Sequence, residues 1–138
     1  MADDRVTLLH EWFEQVWNRG DVTAIHRLMA PDCVTHGLRD ADGTEVTGKA
    51  AFLPFFNTFR TAFPDMQVVI EDSVVEGDKI AVRCTVRGTH RGHTLGFAAT
   101  QRPVEFTGMC IARVRNGQLV EGWNNFDFAT MQAQLQPA

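Results

Sequence analysis

The sequence has no tyrosine and no run of basic residues, although it contains 10 Phe and 3 Trp. With a formal net charge of −4, it lacks the basic surface that nucleic acid or an anionic membrane requires. We therefore exclude nucleic acid and membrane as primary partners. Because the aromatic side chains carry almost no polar groups, we expect them in a core or in the wall of an apolar pocket.

Cysteine is also scarce, and its spacing carries no motif. Cys33, Cys84 and Cys110 are odd in number and form no CxxC pair, so neither a disulfide framework nor a zinc site is indicated. The acidic N-terminus lacks the features of a signal peptide, and no apolar stretch approaches about 18 residues. We expect a cytoplasmic protein without a targeting or membrane-anchoring segment.

Motifs for common cofactors and nucleophiles are absent as well. The sequence contains no GxSxG, P-loop, HExxH or dinucleotide fingerprint. We therefore expect no metal site and no organic cofactor.

The first half of the chain has the apolar spacing of helices. A three- and four-residue repeat from Val6 predicts a first helix that stops at Gly20, and Asp21 is placed to cap a second helix that includes Met29 and ends at Pro31. A short strand is expected over 33–37, a loop over 39–48 and a third helix over about 49–62. That helix presents a stripe of phenylalanines on one face, namely Phe52, Phe55, Phe56, Phe59 and Phe63.

The second half has the two-residue period of strands. Strands are predicted over 66–71 and 80–87, followed by a long connection over 88–102. Asn116-Gly117 favours a type I′ turn between strands 104–115 and 118–126, and Asp127 is placed to cap a last helix. Residues 1–138 are therefore predicted to form one α+β domain, in which an antiparallel sheet curls over helices around a cavity lined in part by Gly122–Phe126.

Alternation along the last hairpin predicts which side chains face that cavity. Val104, Phe106, Gly108, Cys110, Ala112 and Val114 share one side, and Val120, Gly122, Asn124 and Phe126 continue it on the last strand. Asn124 is thus predicted to point inward. A buried amide without partners costs about 1–3 kcal/mol, so Asn124 either binds a ligand or bridges to the backbone of the first helix.

Five segments carry a resemblance to a known family. They are EQVWNRGD (Glu14–Asp21), APDCVTH (Ala30–His36), AFPDMQVVIEDSVVEGDKIAVRCTVRGTH (Ala62–His90), TGMCIARVRNGQLVEGW (Thr107–Trp123) and Asp127. In this order they resemble the SnoaL-like polyketide cyclases, of the cone-shaped superfamily named for nuclear transport factor 2. The resemblance covers nearly the whole chain. It implies a helix-lined cone, commonly dimeric, that acts on small hydrophobic molecules without metal or organic cofactor.

The last strand departs from the family pattern. In the family's cyclases an aspartate in an HWD-type motif is the acid/base of an intramolecular aldol closure, whereas this chain has Gly122-Trp123-Asn124 there. Cys110 occupies the family's usual polar position on the preceding strand. An amide can donate to an oxyanion but cannot take a proton from carbon. Asn124 is therefore predicted to be an oxyanion donor in a pocket whose chemistry is altered or lost.

The remaining candidate residues follow from the resemblance and from residue chemistry. His36 is the predicted base because imidazole titrates near neutral pH; the alternative is a histidine hydrogen-bonded at a strand end. His90 is either a pocket residue or an exposed loop residue, and Cys110 is a small core thiol or a nucleophile. The predicted substrate-binding residues are Trp17, Phe56, Phe59, His90, Cys110 and Phe126.

Three functions remain open. The first is a cofactor-free enzyme that cyclises, isomerises, hydrates or hydroxylates a polyketide- or terpenoid-like molecule. The second is a non-catalytic binding or accessory module, and the third is a purely structural dimer. Trp123, Asn125 and several arginines fall on the outer side of the predicted sheet, so a homodimer is expected to form through that face.

Overall fold

The helices lie close to the predicted positions. The computed structural model describes residues 4–40, 43–93 and 98–136. Helix α1 (Asp4–Glu11) continues into a π-helical segment (Trp12–Asn18), and α2 (Val22–Leu28), α3 (Lys49–Ala62) and α4 (Phe128–Leu135) follow. Asp21 caps α2 by accepting from Thr23 and Ala24 N–H, and Asp127 caps α4 by accepting from Thr130 N–H. The predicted capping roles of both aspartates are confirmed.

The strands form one open, curved sheet. They are β1 (Met29–His36), β2 (Gln67–Glu76), β3 (Lys79–Thr89), β4 (Pro103–Arg115) and β5 (Gln118–Phe126), in the order β1-β5-β4-β3-β2. Strands β2 to β5 pair antiparallel with their neighbours in sequence. The predicted α+β class, with helices packed on one face of the sheet, is confirmed.

Strand β1 differs from the prediction in two ways. It begins at Met29, which was expected in the second helix, and it runs parallel to β5. Pro31 therefore lies within a strand instead of after a helix. An edge strand tolerates proline because the missing N–H is not needed for pairing on its free side. The parallel pairing arises because α3 separates β1 from the antiparallel meander, so that β1 packs beside the last strand of the chain.

The inner face of the sheet, which packs against the helices, has the predicted alternation. On β4 the residues from Val104 to Ala112 are alternately buried and exposed. A β-bulge interrupts the pairing of β4 with β5. Arg113 pairs with Glu121 and the next residue, Val114, pairs with Leu119, so the register shifts by one residue of β5. Leu119, and not Val120, is therefore the buried residue at the start of β5. Sequence alternation cannot reveal such an extra residue.

The π-helical segment was expected to be ordinary α-helix. Arg19 N–H donates to Glu14 O at 3.0 Å, a five-residue step. This wider turn places Trp12 and Trp17, which are five residues apart, against the same ring of Phe52, with centroid distances of 5.5 and 5.9 Å. The segment therefore presents both indoles to the interior.

Side-chain hydrogen bonds tie the end of this segment to the sheet. Asn18 accepts from Val68 N–H at 2.6 Å and donates to Val68 O at 3.1 Å, so its amide pairs with edge strand β2 as another strand would. Arg60 on α3 donates to Trp17 O at 2.9 Å. These bonds fix the π-helical segment and α3 relative to the strands.

Candidate functional site

A cavity of about 100 Å³ lies between the helices and the inner face of the sheet. Its described lining is mostly apolar and comes from α1, the π-helical segment, α3, α4 and all five strands. The lining residues used below are Trp12, Trp17, Phe52, Phe59, Cys33, Thr35, Cys110, Asn124, Phe126 and Phe128. A concave, mostly apolar space with few polar groups is the usual form of a small-molecule site.

Aromatic rings form the helical wall. Trp17 lies between 5.2 and 6.4 Å, centroid to centroid, from the rings of Phe52, Phe55, Phe56 and Phe59. Trp17 and Phe59, two of the predicted substrate-binding residues, line the cavity. Phe56 does not belong to the described lining. It is buried behind Trp17 and supports that ring.

The polar end of the cavity is formed by Cys33, Thr35, Cys110 and Asn124, on neighbouring strands β1, β5 and β4. Asn124 lies directly opposite Cys110 in the β4–β5 ladder, and Thr35 lies opposite Gly122. The inward orientation predicted for Asn124 agrees with this register. Cys33 and Thr35 were not identified from the sequence, because a short strand next to Pro31 gave too few residues to establish which side faced inward.

The end of β1 holds the Asn124 side chain in place. Asn124 Nδ2 donates to the main-chain oxygen of His36 at 3.0 Å. Gly37 follows with φ +83°, and a Cβ at Gly37 would overlap the main-chain oxygen of Asn124. The structural bridge considered for Asn124 thus exists, but it reaches β1 and not the first helix.

The thiols at the polar end are poor nucleophiles. Burial raises the pKa of Cys110 to about 12. Burial, with Asp32 and Glu121 nearby, raises the pKa of Cys33 to about 11. Both thiols are therefore protonated at neutral pH, and the core-thiol interpretation of Cys110 is favoured over the nucleophile.

His36 lies on the outer face of the sheet, away from the cavity. It pairs with Trp123 across β1 and β5, and the two rings stack at 5.5 Å with an interplanar angle of 17°. Its Nε2 lies 2.8 Å from Glu121 Oε2. The structure therefore does not bring the His36 imidazole together with Asn124, although the His36 main chain contacts the Asn124 amide. The position of the His36 imidazole instead fits the alternative interpretation, a histidine hydrogen-bonded at a strand end.

His90 is fully buried, which differs from the exposed loop residue considered above, and it lies outside the described lining. Its ring packs 5.6 Å from Phe63, and Nδ1 accepts from Thr100 N–H at 3.3 Å. Arg102 O accepts from His90 N–H at 3.0 Å. His90 therefore holds together the two ends of the connection predicted over 88–102, of which residues 94–97 lie outside the described part.

Charged groups are concentrated on the outer face. Arg113 donates to both oxygens of Asp78, at 2.9 and 3.1 Å, and lies 3.8 Å from Glu121. These bonds from Arg113 hold the pKa of Asp78 below its usual value. Lys79 Nζ lies 5.5 Å from the Trp123 ring centroid. Glu121 also contributes to the cavity lining, although the register pairs it with Arg113 on the outer face.

Among the residues that the structure describes, no group of three His, Cys, Asp or Glu side chains could hold a metal ion. No helix in the described ranges is long and apolar enough to cross a membrane.

Solved structures with similar folds come from several bacteria. IdmH of Streptomyces antibioticus, a proposed polyketide cyclase, is 34% identical over 96% of this chain and 99% of its own, with a TM-score of 0.81. AclR of Streptomyces galilaeus, a proposed hydroxylase, is 28% identical over 98% of this chain and 83% of its own, with a TM-score of 0.83. No curated protein matches the chain in sequence.

A family model gives the same result as the structural similarity. The model of the SnoaL-like polyketide cyclases matches residues 7–135, which include every element from α1 to α4 that contributes to the cavity. Together with the IdmH similarity over nearly the full length of both chains, this match shows that the protein belongs to the SnoaL-like polyketide cyclase family.

Proposed function

We propose that this protein is a cofactor-free enzyme that takes a polyketide- or terpenoid-like molecule into the cavity and promotes its ring closure or isomerisation. The observation that carries the proposal is the Asn124 amide, which lines a mostly apolar, aromatic-walled cavity. A hydrogen bond from a fixed amide stabilises charge that develops on an enol or enolate oxygen. The IdmH and AclR similarities favour an enzyme on a small molecule, without selecting the reaction.

The polarity of the cavity limits the mechanism. No His, Lys or Arg occurs among its described lining residues, and both lining thiols are protonated at neutral pH. The one carboxylate of the described lining, Glu121, is held toward the outer face by His36 and Arg113. The enzyme would therefore act by binding the substrate in a reactive conformation and by hydrogen bonding to the reacting oxygen. A general base typically contributes about 100- to 10,000-fold, so we expect a slow catalyst compared with family members that carry the aspartate.

Exchange of the α-hydrogens of 2-tetralone tests this proposal. 2-Tetralone is an apolar bicyclic ketone, and its enolisation in D₂O can be followed by NMR as loss of the α-proton signals. We expect wild-type protein to accelerate exchange relative to Asn124→Leu, which has the same branching and no hydrogen-bonding group. Asn124→Asp should exchange at least about 100-fold faster than wild type, because it adds a general base.

A neighbouring residue provides the matched control. Asn125 is adjacent in sequence and lies exposed on the outer face, where it pairs with Met109. Asn125→Leu should therefore exchange at the wild-type rate. Equal rates for wild type, Asn124→Leu and buffer alone would exclude an enzymatic role for the amide.

A non-catalytic binding module is the second candidate. The observation in its favour is the placement of the His36 imidazole on the outer face, which leaves the described lining without a histidine. In this case 2-tetralone should quench the fluorescence of the lining tryptophans Trp12 and Trp17 without faster exchange. An absence of binding by any apolar aromatic compound would contradict both candidates and favour the structural dimer.

The outer face supports a homodimer, which we also propose. Six large apolar residues in the described ranges are exposed, and five of them lie on this one face, namely Val34, Val69, Val74, Met109 and Ile111. The Arg113–Asp78 ion pair and the His36–Glu121 hydrogen bond lie among them. Exposed apolar side chains mixed with paired polar groups are typical of protein interfaces.

Sedimentation velocity tests the dimer with two matched variants. Val69 on the outer face and Val22 on α2 are both 42% exposed. In a two-fold dimer each interface substitution acts twice, so Val69→Glu should weaken dimerisation by at least about 30-fold. Val22→Glu should leave it unchanged. A wild type that stays monomeric at every protein concentration measured would exclude this face as a dimer interface. Equal weakening of dimerisation by both variants would also exclude it.

The cytoplasmic location also remains a proposal. Its support is that all three cysteines are free and buried, which is usual in a reducing compartment. Fractionation of cells that express the full chain would check it.

A further inference from the structure

We infer that the polar end of the cavity selects a hydroxyl group of its ligand, in a phenol, enol or alcohol, over an ether or a carboxylate. The inference rests on the proposed function, because it needs a ligand in the cavity. It concerns which group of that ligand lies against Cys33, Thr35, Cys110 and Asn124.

The orientation of the Asn124 amide is fixed by its partner. A main-chain carbonyl oxygen can only accept a hydrogen bond, so the group that faces His36 O at 3.0 Å must be Nδ2. Oδ1 is consequently directed away from His36. Within the described residues it accepts no hydrogen bond, and it is not sealed from solvent-sized space. One N–H of the same amide also remains after the bond to His36. The amide therefore offers one acceptor and one donor side by side.

Thr35 adds a second acceptor. Its hydroxyl hydrogen is donated to Val46 O, on the far side of β1 from β5. Because a hydroxyl has only one hydrogen, Thr35 Oγ1 can only accept from a ligand. Thr35 is buried and lines the cavity.

The charges around the polar end disfavour an anion. No cationic side chain occurs in the described lining. Asp32 and Glu121 both contribute to the raised pKa of Cys33, which indicates that negative charge lies nearby. The protonated thiols of Cys33 and Cys110 are only weak donors. A carboxylate at this end would lose its hydration without gaining a cation or a strong donor.

A hydroxyl group satisfies this arrangement best. It donates to Asn124 Oδ1 or Thr35 Oγ1 and can accept from the remaining Nδ2 hydrogen. An ether can only accept, so its binding would bury both acceptors unpaired. An unpaired buried polar group typically costs about 1–3 kcal/mol, which corresponds to about 5- to 150-fold in affinity.

Three naphthalene derivatives of one shape test the inference. 2-Naphthol, 2-methoxynaphthalene and 2-naphthoate share the ring system and differ only in the polar group. Their dissociation constants can be measured at pH 7 by quenching of Trp12 and Trp17 fluorescence, with calorimetry as a second method. We expect 2-naphthol to bind at least about 10-fold more tightly than 2-methoxynaphthalene, and 2-naphthoate to bind most weakly.

Two asparagine variants connect the preference to the site. Asn124→Leu should bind 2-naphthol and 2-methoxynaphthalene within about twofold of each other, because the paired donor and acceptor are gone. Asn125→Leu, on the opposite face, should keep the wild-type preference. Circular dichroism would confirm that both variants are folded.

The outcomes separate this inference from the proposed function. Equal affinity of wild type for 2-naphthol and 2-methoxynaphthalene, or tightest binding of 2-naphthoate, would overturn the hydroxyl preference while leaving a ligand-binding cavity. The same holds if Asn124→Leu keeps the full preference. If none of the three compounds binds, both the inference and the proposed function are overturned.

Discussion

The two faces of the sheet differ in chemistry although they consist of alternating residues of the same strands. The inner face carries apolar residues, thiols and two uncharged polar groups, Thr35 and Asn124, around a cavity. The outer face carries paired charges, a stacked His36–Trp123 pair and exposed apolar residues. The comparison teaches that the chain keeps most of its charged groups away from its ligand cavity, whose described lining includes one charged residue, Glu121.

Strand β5 shows this separation within a few residues. Gly122 and Asn124 face the cavity, whereas Trp123 and Asn125 lie on the other face opposite Ile111 and Met109. A side chain that is chemically suited to acid/base work, such as His36, is therefore only one residue from the cavity-lining Thr35 and yet cannot act in the cavity. Distance along the chain is a poor guide to function in a sheet, because the period of two alternates the faces.

A charge placed on each face should give the largest difference. Cys110 is 7% exposed and Met109 is 57% exposed, and they are adjacent on β4. Cys110→Asp should lower the free energy of unfolding by about 3–5 kcal/mol, because it leaves a buried charge without a partner. Met109→Asp should change that of the monomer by less than about 0.5 kcal/mol. Urea unfolding at low protein concentration measures both, and similar losses would show that the faces are not distinct.

The close approach of β1 to β5 predicts the next largest effect. Gly37→Ala would force a methyl group against Asn124 O in a left-handed conformation. Strain at positive φ costs about 1–2 kcal/mol, and overpacking adds about 1–3 kcal/mol. Gly77 has φ +61° and no atom near its Cβ position, so Gly77→Ala should lose only the smaller amount. Urea unfolding measures both variants. Equal losses of unfolding free energy in Gly37→Ala and Gly77→Ala would mean that the chain relieves the contact with Asn124 O at little cost.

Burial of the three thiols predicts alkaline instability. The pKa of Cys33 and of Cys84 is raised to about 11 and that of Cys110 to about 12. The folded state keeps these protons above pH 9 while the unfolded state loses them. Stability is therefore complete below about pH 9 and falls as pH rises toward these values, by up to about 1.4 kcal/mol per pH unit for each thiol.

Substitution of one thiol should reduce that pH dependence. Between pH 9 and 11, Cys110→Ala should show a shallower fall in the free energy of unfolding than wild type, whatever its stability at pH 7. Met109→Ala, on the outer face, should keep the wild-type slope. An unchanged slope in Cys110→Ala would show that this thiol ionises as readily in the folded chain as in the unfolded one.

His36→Ala should have the smallest effect. The side chains of His36 and Glu121 are 37% and 31% exposed, and partly exposed ion pairs contribute about 1 kcal/mol or less. We expect a stability loss below about 1 kcal/mol and an affinity for 2-naphthol within about twofold of wild type. A large loss of affinity or of 2-tetralone exchange would restore the role of His36 as the base and would blur the distinction between the faces.

Most of the fold could be predicted because local patterns agree with the tertiary structure. The apolar stripe of α3, the Asn116-Gly117 hairpin and the Asp127 cap depend on neighbouring residues alone, and each lies where it was expected. The π-helical turn at Trp12–Asn18 and the bulge beside Leu119 each involve one extra residue. Such insertions leave little trace in periodicity, because each adds a single residue. The π-helical segment is held by contacts with the distant residues Val68 and Arg60.

The cavity could be predicted only in part. Trp17, Phe59, Cys110, Asn124 and Phe126 line it as their positions indicated. Phe56, on the same helical stripe, supports Trp17 from behind, since which part of a stripe borders a void depends on helix rotation. The inward side of β1, which carries Cys33 and Thr35, followed only from its pairing with β5.

The sequence by itself determined the α+β class, the family, the apolar character of the interior and the inward direction of Asn124, because helical and strand periods and turn residues act locally. Only the tertiary structure decided that β1 runs parallel beside β5. That pairing sends the His36 imidazole to the outer face and brings its main-chain oxygen to the Asn124 amide. Asn124 is thus both the residue that the strand alternation identified and the one whose hydrogen-bonding capacity depends on a partner 88 positions away.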